Sequence, residues 1–502
     1  MSIVNKVAST VLKRNMNRIK RFIERPQETQ EKVFQTLIAH GRNTRWGKDH
    51  HYDDIRSWKD YHKQVPINTY EELRPYVERL LAGEKNLLWD GKTPYMAKSS
   101  GTTSSKSKFI PVTTDALREC HYQGGKDMLT LYGEQYPDSN VYTGLNLALG
   151  GSQDLQNSSS RIFCGDLSAI LIDNLPVWAE HFRTPDKKIA LMSEWEQKLD
   201  AIVNESIRKN VVSLSGVPSW MMLVLQGVLD KTGKSCIKDV WHNLEVYFHG
   251  GVAFTPYREQ YKKLIGEPMH YMETYNASEG FFGVQDRKDS DALLLLPDHG
   301  VFYEFQPMGA GPEAVIPLSE VETGKNYAMI ISTNGGLWRY LIGDTVMFTE
   351  TSPYRFKITG RTKNFINACG EEVIVDNAEK ALRVACLETG AVINEYTAAP
   401  CFDDEHDTKY HEWLIEFSTP PDDLRCFAEI LDRVLQEVNS DYEAKRYKDL
   451  ILQFPKVEQV PEGTFYEWLK SNHRLGGQYK VPRLNNDRTH VEQIKSISIK
   501  QQ

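Results

Sequence analysis

Long apolar runs are missing from this sequence. The longest candidate, Trp220 to Leu229, is far shorter than the roughly 18 residues that a membrane-spanning helix requires. No signal peptide is evident either, because the chain has no long apolar stretch near its N-terminus. We therefore expect no integral membrane segment.

An excess of positive charge is missing as well. Lys and Arg number 60 and Asp and Glu number 68, which leaves a net charge of −8. A field of this sign does not favour a polyanion, so we expect no nucleic acid partner. A small charged ligand would need a local site.

Cysteine is scarce and follows no pattern. Seven cysteines are scattered over 502 residues, with no CxxC pair and no His/Cys cluster at zinc spacing, so we expect reduced thiols in a cytosolic protein.

Two catalytic signatures are also missing. There is no G-x-S-x-G elbow, and the segment 227–235 has one residue too many between its glycines for a Walker A loop. We predict that this segment ends a helix.

The N-terminus has an unusual charge pattern. Residues 1–25 carry seven basic side chains and one acid, Glu24, a bias typical of a mitochondrial presequence or a membrane-surface helix. The apolar residues between Val4 and Leu12 form only a narrow stripe, which favours a solvated helix.

The order of apolar patterns predicts an α/β fold. The first 90 residues are mostly helical in pattern, and Pro66 and Pro75 are expected to end or bend the segments before them. From Tyr95 onward, short apolar runs bounded by Gly, Pro and Ser alternate with helical patterns, as in a sheet covered by helices. The predicted strands are Val211–Leu214, Leu244–Phe248, Met269–Met272, Ala292–Leu296, Val301–Phe305 and Ala328–Ser332.

The pattern changes after Gly360. Asp376 is placed to cap a helix that runs through Glu388, with Gly390 following, and a second helix carries an apolar stripe from Phe427 to Val438. Strands are predicted at Ala391–Ala399 and Trp413–Phe417. We therefore expect a large α/β domain over residues 1–360 and a small α+β domain over residues 361–502.

The segment from Ser99 to Lys108 is the strongest local signal. Its small, hydroxyl-bearing and cationic residues can surround phosphate oxygens with N–H groups, hydroxyls and positive charge. Composition alone fits a flexible surface loop equally well.

Three further motifs follow along the chain. The segment from Tyr275 to Gly280 follows a predicted strand, where α/β sheets bind ligands. The ring of Tyr275 can stack on a base there, and Glu279 can hold a divalent cation. An ordinary turn is the alternative interpretation. Gly343 permits a sharp turn that presents Asp344, whose two oxygens match a ribose hydroxyl pair. Lys480 lies in a late Gly-rich loop, where it could act as a mobile cation or be simply solvated.

The order of these four motifs resembles that of the adenylate-forming superfamily. It is most similar to the Gretchen Hagen 3 family of acyl acid amido synthetases, plant auxin- and jasmonate-conjugating enzymes and their bacterial relatives. The resemblance extends from the helical region around Thr44–Lys48 to the segment 478–483. It implies a large adenylation domain, a mobile C-terminal lid that moves about Gly360–Arg361, and ATP and Mg²⁺ as cofactors.

The resemblance also implies a role for individual residues. Glu279 would bind magnesium and Lys480 would close over the nucleotide during adenylation, so these two are the expected catalytic residues. Gly250 and Gly251 would approach the adenine, although a glycine pair at a strand end explains them nearly as well. The other nucleotide contacts are expected at Ser99, Ser100, Gly101, Thr102, Thr103, Lys108, Tyr275, Asn276, Ala277, Ser278, Asp344 and Arg361. One departure is Leu341, where the family usually has Arg, although Arg339 remains.

The implied reaction joins a carboxylic acid to an amine, in the family an amino acid, through an acyl-adenylate. Two alternatives stay open: a CoA ligase of the same superfamily, and a nucleotide-binding protein without catalysis. Val217 and the segment Trp220–Met222 could line the acid pocket, although a buried helix explains them as well. The sequence identifies neither the acid nor the oligomeric state.

Overall fold

The computed structural model describes residues 3–99, 108–151, 162–251, 254, 258–288, 290–308, 310–361, 365–367, 369–371, 373–403, 408–472 and 481–501. The described residues up to Arg361 form one compact unit. The described residues from Phe365 onward form a second. The two units are described separately below.

The α-helices described in the larger unit lie between Ile3 and Ile265. They are α1 (Ile3–Glu24), α2 (Pro26–Arg42), α3 (Arg45–Asp49), α4 (Trp58–Gln64), α5 (Tyr70–Leu81), α6 (Tyr122–Gln135), α7 (Leu167–Asp173), α8 (Val177–Glu180), α9 (Lys187–Ala190), α10 (Trp195–Ser206), α11 (Pro218–Thr232) and α12 (Arg258–Ile265).

The strands of the larger unit are mostly short. They are β1 (Tyr95–Ser99), β2 (Lys108–Val112), β3 (Leu145–Ala148), β4 (Phe163–Gly165), β5 (Arg183–Thr184), β6 (Val211–Gly216), β7 (Val246–Gly250), β8 (His270–Ala277), β9 (Gly280–Val284), β10 (Leu293–Leu295), β11 (Val301–Pro307), β12 (Ile316–Pro317), β13 (Asn326–Thr333), β14 (Tyr340–Thr351) and β15 (Tyr354–Arg361).

These strands form two sheets. A 12-stranded sheet has the order β12-β11-β13-β14-β15-β10-β9-β8-β7-β6-β3-β5, and a 3-stranded sheet has the order β2-β1-β4. Strands β5, β3, β6, β7 and β8 run parallel, whereas the pairings from β8 through β15 to β12 are antiparallel. The carboxyl ends of β3, β6, β7 and β8 therefore meet at one edge, the position at which α/β sheets bind ligands.

Each predicted strand of this region is present, with ends shifted by a few residues. The largest shift is at β8, which continues from His270 to Ala277 instead of ending at Met272. The segment 227–235 ends α11 as predicted, and Gly233 takes φ +65° as the capping residue. Pro75, in contrast, does not end a helix but lies inside α5, whose first turn is stabilised by a capping box formed by Thr69 and Glu72.

The N-terminal helix is part of the fold in its second half. Ile19 and Phe22 are buried, and Arg18 pairs with both Asp127 of α6 and Asp298. The prediction of a solvated helix is therefore wrong for this half, because only one face of it remains exposed to solvent.

The smaller unit combines short sheets with helices. Its helices are α13 (Val375–Thr389), α14 (Leu424–Val438), α15 (Ser440–Arg446), α16 (Thr464–Ser471) and α17 (Thr489–Gln501). Its strands are β16 (Phe365–Ile366), β17 (Val373–Ile374), β18 (Val392–Asp403), β19 (Thr408–Thr419) and β20 (Lys456–Val460), in the sheets β16-β17 and β18-β19-β20. This confirms the predicted α+β class.

Both predicted helices of this unit are present. The buried stripe of α14 includes Phe427, Leu431 and Leu435, as its three-and-four spacing indicated. Gly390 follows α13 with φ +72°. Asp376 is the second residue of α13 and not its cap, because the helix begins at Val375.

All seven cysteines lie within the described residues, and each is a free thiol. A bilayer-spanning helix, long and apolar enough to cross, is not found in the part of the chain that the structure describes.

Candidate active site

The motif from Tyr275 to Gly280 forms a hairpin at the ligand edge of the sheet. Tyr275, Asn276 and Ala277 are the last residues of β8, and Ser278 and Glu279 make the two-residue turn into β9. The carboxyl end of β8 thus presents the motif beside the ends of β6 and β7. Glu279 is half-buried in this turn.

Asp344 lies in strand β14 and not in the sharp turn that was expected at Gly343. The pairing of β13 with β14 shifts between Ala328–Thr345 and Ile330–Leu341, which gives β14 extra residues at this point. Gly343 takes φ +98°, a backbone conformation that glycine adopts without strain. A bulge of this kind changes the direction of a side chain within a strand, and it leaves the Asp344 side chain buried.

The Tyr275 hydroxyl donates a hydrogen bond to the Asp344 carboxylate. These residues are 69 positions apart in the chain, and their strands are four places apart in the sheet. Strands four places apart would be separated by about 19 Å in a flat sheet, so direct contact requires the sheet to curl at this point. The curl brings two of the predicted motifs into one place.

The ring of Tyr275 is covered by protein. It packs against Phe282, with ring centroids 4.9 Å apart, and against Phe356 at 6.1 Å. The tyrosine is 7% exposed, so its hydroxyl, and not its ring face, is the group that orients Asp344.

Gly250 is the last residue of the neighbouring strand β7, and Gly251 follows it. A Cβ at Gly250 would lie 2.3 Å from the carbonyl oxygen of Thr274, so no side chain fits there, and Gly251 takes φ +84°. The preceding His249 stacks on Phe254 with centroids 4.1 Å apart. Burial, and then the field of Arg258, lower the pKa of His249 to about 3, so the imidazole is neutral at physiological pH.

His121 is a neighbour of the motif that sequence reasoning missed. It ends a π-helical turn, Ala116–His121, and its Nδ1 lies 3.2 Å from Oδ1 of Asn276. Burial lowers the pKa of His121 to about 4, so the ring is neutral at physiological pH. Because an amide oxygen only accepts, Nδ1–H is the donor in this hydrogen bond. π-Helical turns occur frequently at functional sites, but the sequence contained no signal for this one.

Only part of the predicted phosphate loop can be located. Ser99 ends β1 and pairs with Lys108, the first residue of β2, so the loop connects two antiparallel strands. The Lys108 ammonium lies 5.8 Å from the ring centroid of Tyr70. The remaining predicted loop contacts, Ser100, Gly101, Thr102 and Thr103, lie outside the described residues.

Two further predicted residues lie near or beyond the end of the larger unit. Arg361 is the last residue of β15 and pairs with Asp344 across the ladder, and Gly360 pairs with Thr345. The expected hinge residues are thus part of a strand. Lys480 lies outside the described residues.

Arg339 has a structural role within the larger unit. It is buried, forms an ion pair with Glu304 at 3.0 Å, and donates to the carbonyl oxygens of His62 and Val65 at 2.9 and 2.6 Å. With its guanidinium held in this way, Arg339 does not substitute for the Arg that Leu341 replaces.

Glu279 can bind a magnesium ion only if the substrate supplies further ligands. Among the described residues, the group of three or more potential ligands close enough to share an ion is Asp127, Asp298 and His299, and Arg18 already supplies positive charge there. Glu279 offers one carboxylate. Mg²⁺ is often bound by one or two carboxylates together with substrate phosphates and water, so the residues present fit this mode.

Comparison with protein families gives matches along most of the chain. Residues 15–269 match the GH3 family N-terminal domain, residues 294–361 the GH3 family central domain, and residues 376–489 the GH3 family C-terminal domain.

Curated relatives match over nearly their full length. Indole-3-acetic acid-amido synthetase GH3.3 of Arabidopsis thaliana is 24% identical over 530 residues, covering 90% of this chain and 88% of the relative. Jasmonoyl-L-amino acid synthetase JAR6 of Nicotiana attenuata is 23% identical over 508 residues, covering 84% of each chain.

Solved structures share the fold. The complex of AtGH3.15 acyl acid amido synthetase with 2,4-DB superposes with a TM-score of 0.64 at 17% identity, covering 97% of this chain and 96% of that one. A 2-hydroxyisobutyryl-CoA ligase, in complex with 2-HIB-AMP and CoA, superposes with a TM-score of 0.54 at 12% identity, covering 95% and 93%. These likenesses confirm the expected α/β fold with a large N-terminal and a smaller C-terminal domain.

Proposed function

This chain belongs to the GH3 family, and from that premise we infer that it is an ATP-dependent acyl acid amido synthetase of the adenylate-forming superfamily. It activates a carboxylic acid as an acyl-adenylate and transfers the acyl group to an amino acid. The observation that carries this inference at the level of residues is the hydrogen bond from Tyr275 to Asp344, because it joins two motifs that the reaction needs together.

The first step must overcome repulsion between two anions. A carboxylate oxygen attacks the α-phosphorus of ATP, a P–O bond breaks, and pyrophosphate leaves with the electron pair. Catalysis of phosphoryl chemistry rests mainly on positioning and on fixed charge. We assign Asp344 to the ribose hydroxyls and the loop that follows Ser99 to the phosphates. The resemblance assigns Lys480 to the charge that develops at the α-phosphate.

The second step forms the amide. The amine nitrogen attacks the carbonyl carbon of the acyl-adenylate, the C–O bond to phosphate breaks, and AMP leaves with the electron pair. The amine nitrogen loses one proton to water as the amide forms. The residues that hold AMP during the first step keep the same role, because the nucleotide remains bound as the leaving group.

Pyrophosphate exchange tests the proposal directly. The protein is incubated with ATP, labelled pyrophosphate and a panel of aromatic and aliphatic carboxylic acids. We expect acid-dependent exchange for at least one class of acid, followed by an amide detected by mass spectrometry when mixed amino acids are added. Exchange that stays at background for every acid would favour a nucleotide-binding protein without catalysis.

The molecule that accepts the acyl group distinguishes an amido synthetase from a CoA ligase. The fold alone does not distinguish them, since an amido synthetase and a CoA ligase both superpose on this chain. With one activated acid, we expect product with amino acids and none with CoA. A thioester and no amide would assign the chain to the CoA ligases.

We propose that Glu279 binds Mg²⁺. When bound, the ion would neutralise phosphate charge, while Glu279 would hold it at the β8–β9 turn. Glu279→Gln keeps the size of the side chain and removes its charge, so we expect half-maximal exchange to require about tenfold more Mg²⁺. Glu322→Gln, at an exposed position, serves as the control. An unchanged Mg²⁺ requirement in Glu279→Gln would contradict this role.

The site of action proposed for the enzyme is the cytosol. The free state of all seven thiols is compatible with a reducing compartment.

A further inference from the structure

Lys198 is a buried lysine that the proposed mechanism does not use. It lies on α10, is 3% exposed, and its Nζ donates to the carbonyl oxygens of Gly150 at 2.5 Å and Gly151 at 3.2 Å. Lysine is almost never fully buried unless its charge is compensated, so a cation held against two backbone carbonyls calls for an explanation.

The two glycines follow β3 at the ligand edge of the sheet. The Gly151 N–H donates to Oγ of Ser168 at 2.7 Å, so this short segment is held from both its carbonyl and its amide sides. A Cβ at Gly150 would lie 2.6 Å from Ile172, and one at Gly151 would lie 2.1 Å from Asp166. The segment is therefore packed too closely for side chains, and Lys198 fixes its position.

The fixed segment supports the next strand end. The N–H of Leu149 donates to the carbonyl oxygen of Ser215 at 3.1 Å, and a Cβ at Gly216 would contact the Leu149 side chain at 3.3 Å. Gly216 ends β6 and leads through Val217 into α11, and Val217 in turn lies 3.4 Å from a Cβ position at Gly251. Contacts thus run from Lys198 to the start of α11 and to the end of β7.

This region contains the residues expected to line the acid pocket. Val217, Trp220 and Met222 are half-buried at the start of α11, whereas Met221 is fully buried and belongs to the core. Because α11 begins at the carboxyl end of β6, its first turn lies on the ligand edge. A displacement of Gly150 and Gly151 would be transmitted to this turn.

We propose that Lys198 is a positioning residue of the carboxylic acid pocket: its ammonium holds Gly150 and Gly151 and thereby fixes the wall formed by Val217 and the first turn of α11. The proposal rests on the proposed amido synthetase function. It assigns Lys198 to the acid before the nucleotide, because the contacts reach Val217 at the start of α11 first and reach Gly251, at the end of β7, only through Val217.

The protonation of Lys198 gives the proposal a distinctive signature. Burial lowers the pKa of Lys198 to about 8, against the opposing field of Asp166, the charged group that faces it. The ammonium is therefore present below about pH 8 and lost above it. A neutral amine donates more weakly to carbonyl oxygens than an ammonium, so the wall should loosen as the pH rises through this range.

Exchange kinetics with Lys198→Met test the proposal. Methionine keeps an unbranched side chain of similar length and removes the donor. We expect the KM for the acid selected by the panel to rise about tenfold at pH 7, with the KM for ATP changed less than twofold. In the unaltered protein the acid KM should rise between pH 7 and pH 9.5, and in Lys198→Met this dependence should be absent. Lys188→Met, an exposed lysine on neighbouring α9, is the matched control.

Several outcomes would overturn the proposal. Equal increases in the KM for the acid and the KM for ATP would indicate a general structural role. An acid KM that is constant from pH 7 to pH 9.5 in the unaltered protein would show that the ammonium of Lys198 does not support the acid pocket. If Lys198→Met does not fold, Lys198→Gln, which keeps an N–H donor group but no charge, is measured instead, and an acid KM in this variant that still rises between pH 7 and pH 9.5 would overturn the proposal. An unaltered protein with no exchange for any acid would refute the proposed function itself, whereas an active one with an unaffected variant would refute only the role of Lys198.

Discussion

At the scale of single residues, the hydrogen-bonded pair Tyr275 and Asp344 is the proposed nucleotide end of the site. A hydrogen bond to a charged group contributes about 1.5–3 kcal/mol, which corresponds to roughly 10- to 150-fold in affinity. We therefore expect Asp344→Asn, which keeps the size of the side chain, to raise the KM for ATP by about that factor. The acid KM should stay within twofold, because Asp344 is assigned to the ribose.

Tyr275→Phe provides the comparison for this pair. It removes the donor to Asp344 and retains the packing against Phe282 and Phe356. We expect a smaller rise in the KM for ATP, about three- to tenfold, measured by exchange at saturating acid. A larger effect from Tyr275→Phe than from Asp344→Asn would contradict the assignment of Asp344 to the ribose.

Residue types were easier to predict than residue contacts. The sequence identified Tyr275 and Asp344 separately, because each lies in a short motif with its own chemistry. Their hydrogen bond depends on the curl of a sheet and on a bulge at Gly343, and both are set by long-range strand pairing. Lys198 and His121 had no sequence signal at all, because a buried lysine or histidine looks like any other until its neighbours are known.

At the scale of secondary structure, a polar cluster contributes to the docking of α1, beside the burial of Ile19 and Phe22. Asp127 accepts hydrogen bonds from Asn15, Arg18 and His299, and Asp298 pairs with Arg18. Arg18→Met would leave two largely buried carboxyl groups without their cation, for which we expect a loss of about 3 kcal/mol in the free energy of unfolding. Urea denaturation measures it. Lys20→Met, exposed on the same helix, should change stability by less than about 0.5 kcal/mol.

The same cluster predicts how stability depends on pH. Burial alone would raise the pKa of Asp127, but hydrogen bonds and charge from His299 and Arg18 prevail and lower it from 3.8 to about 2. A carboxyl group with a lowered pKa contributes its full stabilisation above its unfolded pKa, near pH 4, and loses it as the pH falls toward 2. The difference between the unaltered protein and Arg18→Met should therefore shrink over that range. A difference that is constant from pH 7 to pH 2 would show that this ion pair does not anchor α1.

Periodicity explains why elements were predicted well and their ends less well. Apolar runs such as Val211–Leu214 and Val301–Phe305 mark the buried part of a strand, and β6 and β11 contain them in full. The last residues of β8, Tyr275 to Ala277, were assigned to the motif after the strand because polar residues interrupt the run. The ladder with β9 extends the strand through them.

At the scale of the whole molecule, a net charge of −8 opposes the approach of ATP and of a carboxylate. Affinity for both anions must then come from donors and positive charges within the site, as we inferred from the net charge. The N–H groups of the loop after Ser99 and the ammonium groups of Lys108 and Lys480 are the groups proposed for this purpose. The family match over three consecutive segments explains why motif order along the chain was more informative than any single motif.

Lys480 allows the two half-reactions to be separated. Its proposed role is to stabilise charge at the α-phosphate during adenylation, and this charge does not develop in the same way when an amine attacks the acyl carbon. Loss of one group that stabilises a transition state typically costs about 100- to 1,000-fold in rate. We therefore expect Lys480→Ala to reduce exchange by at least about 100-fold, while amide formation from preformed acyl-adenylate, followed in a single turnover, falls less than fivefold. Lys470→Ala, an exposed lysine on α16, should leave both rates unchanged. An equal loss in both half-reactions would mean that Lys480 acts on binding of the nucleotide throughout the cycle and not on the adenylation step.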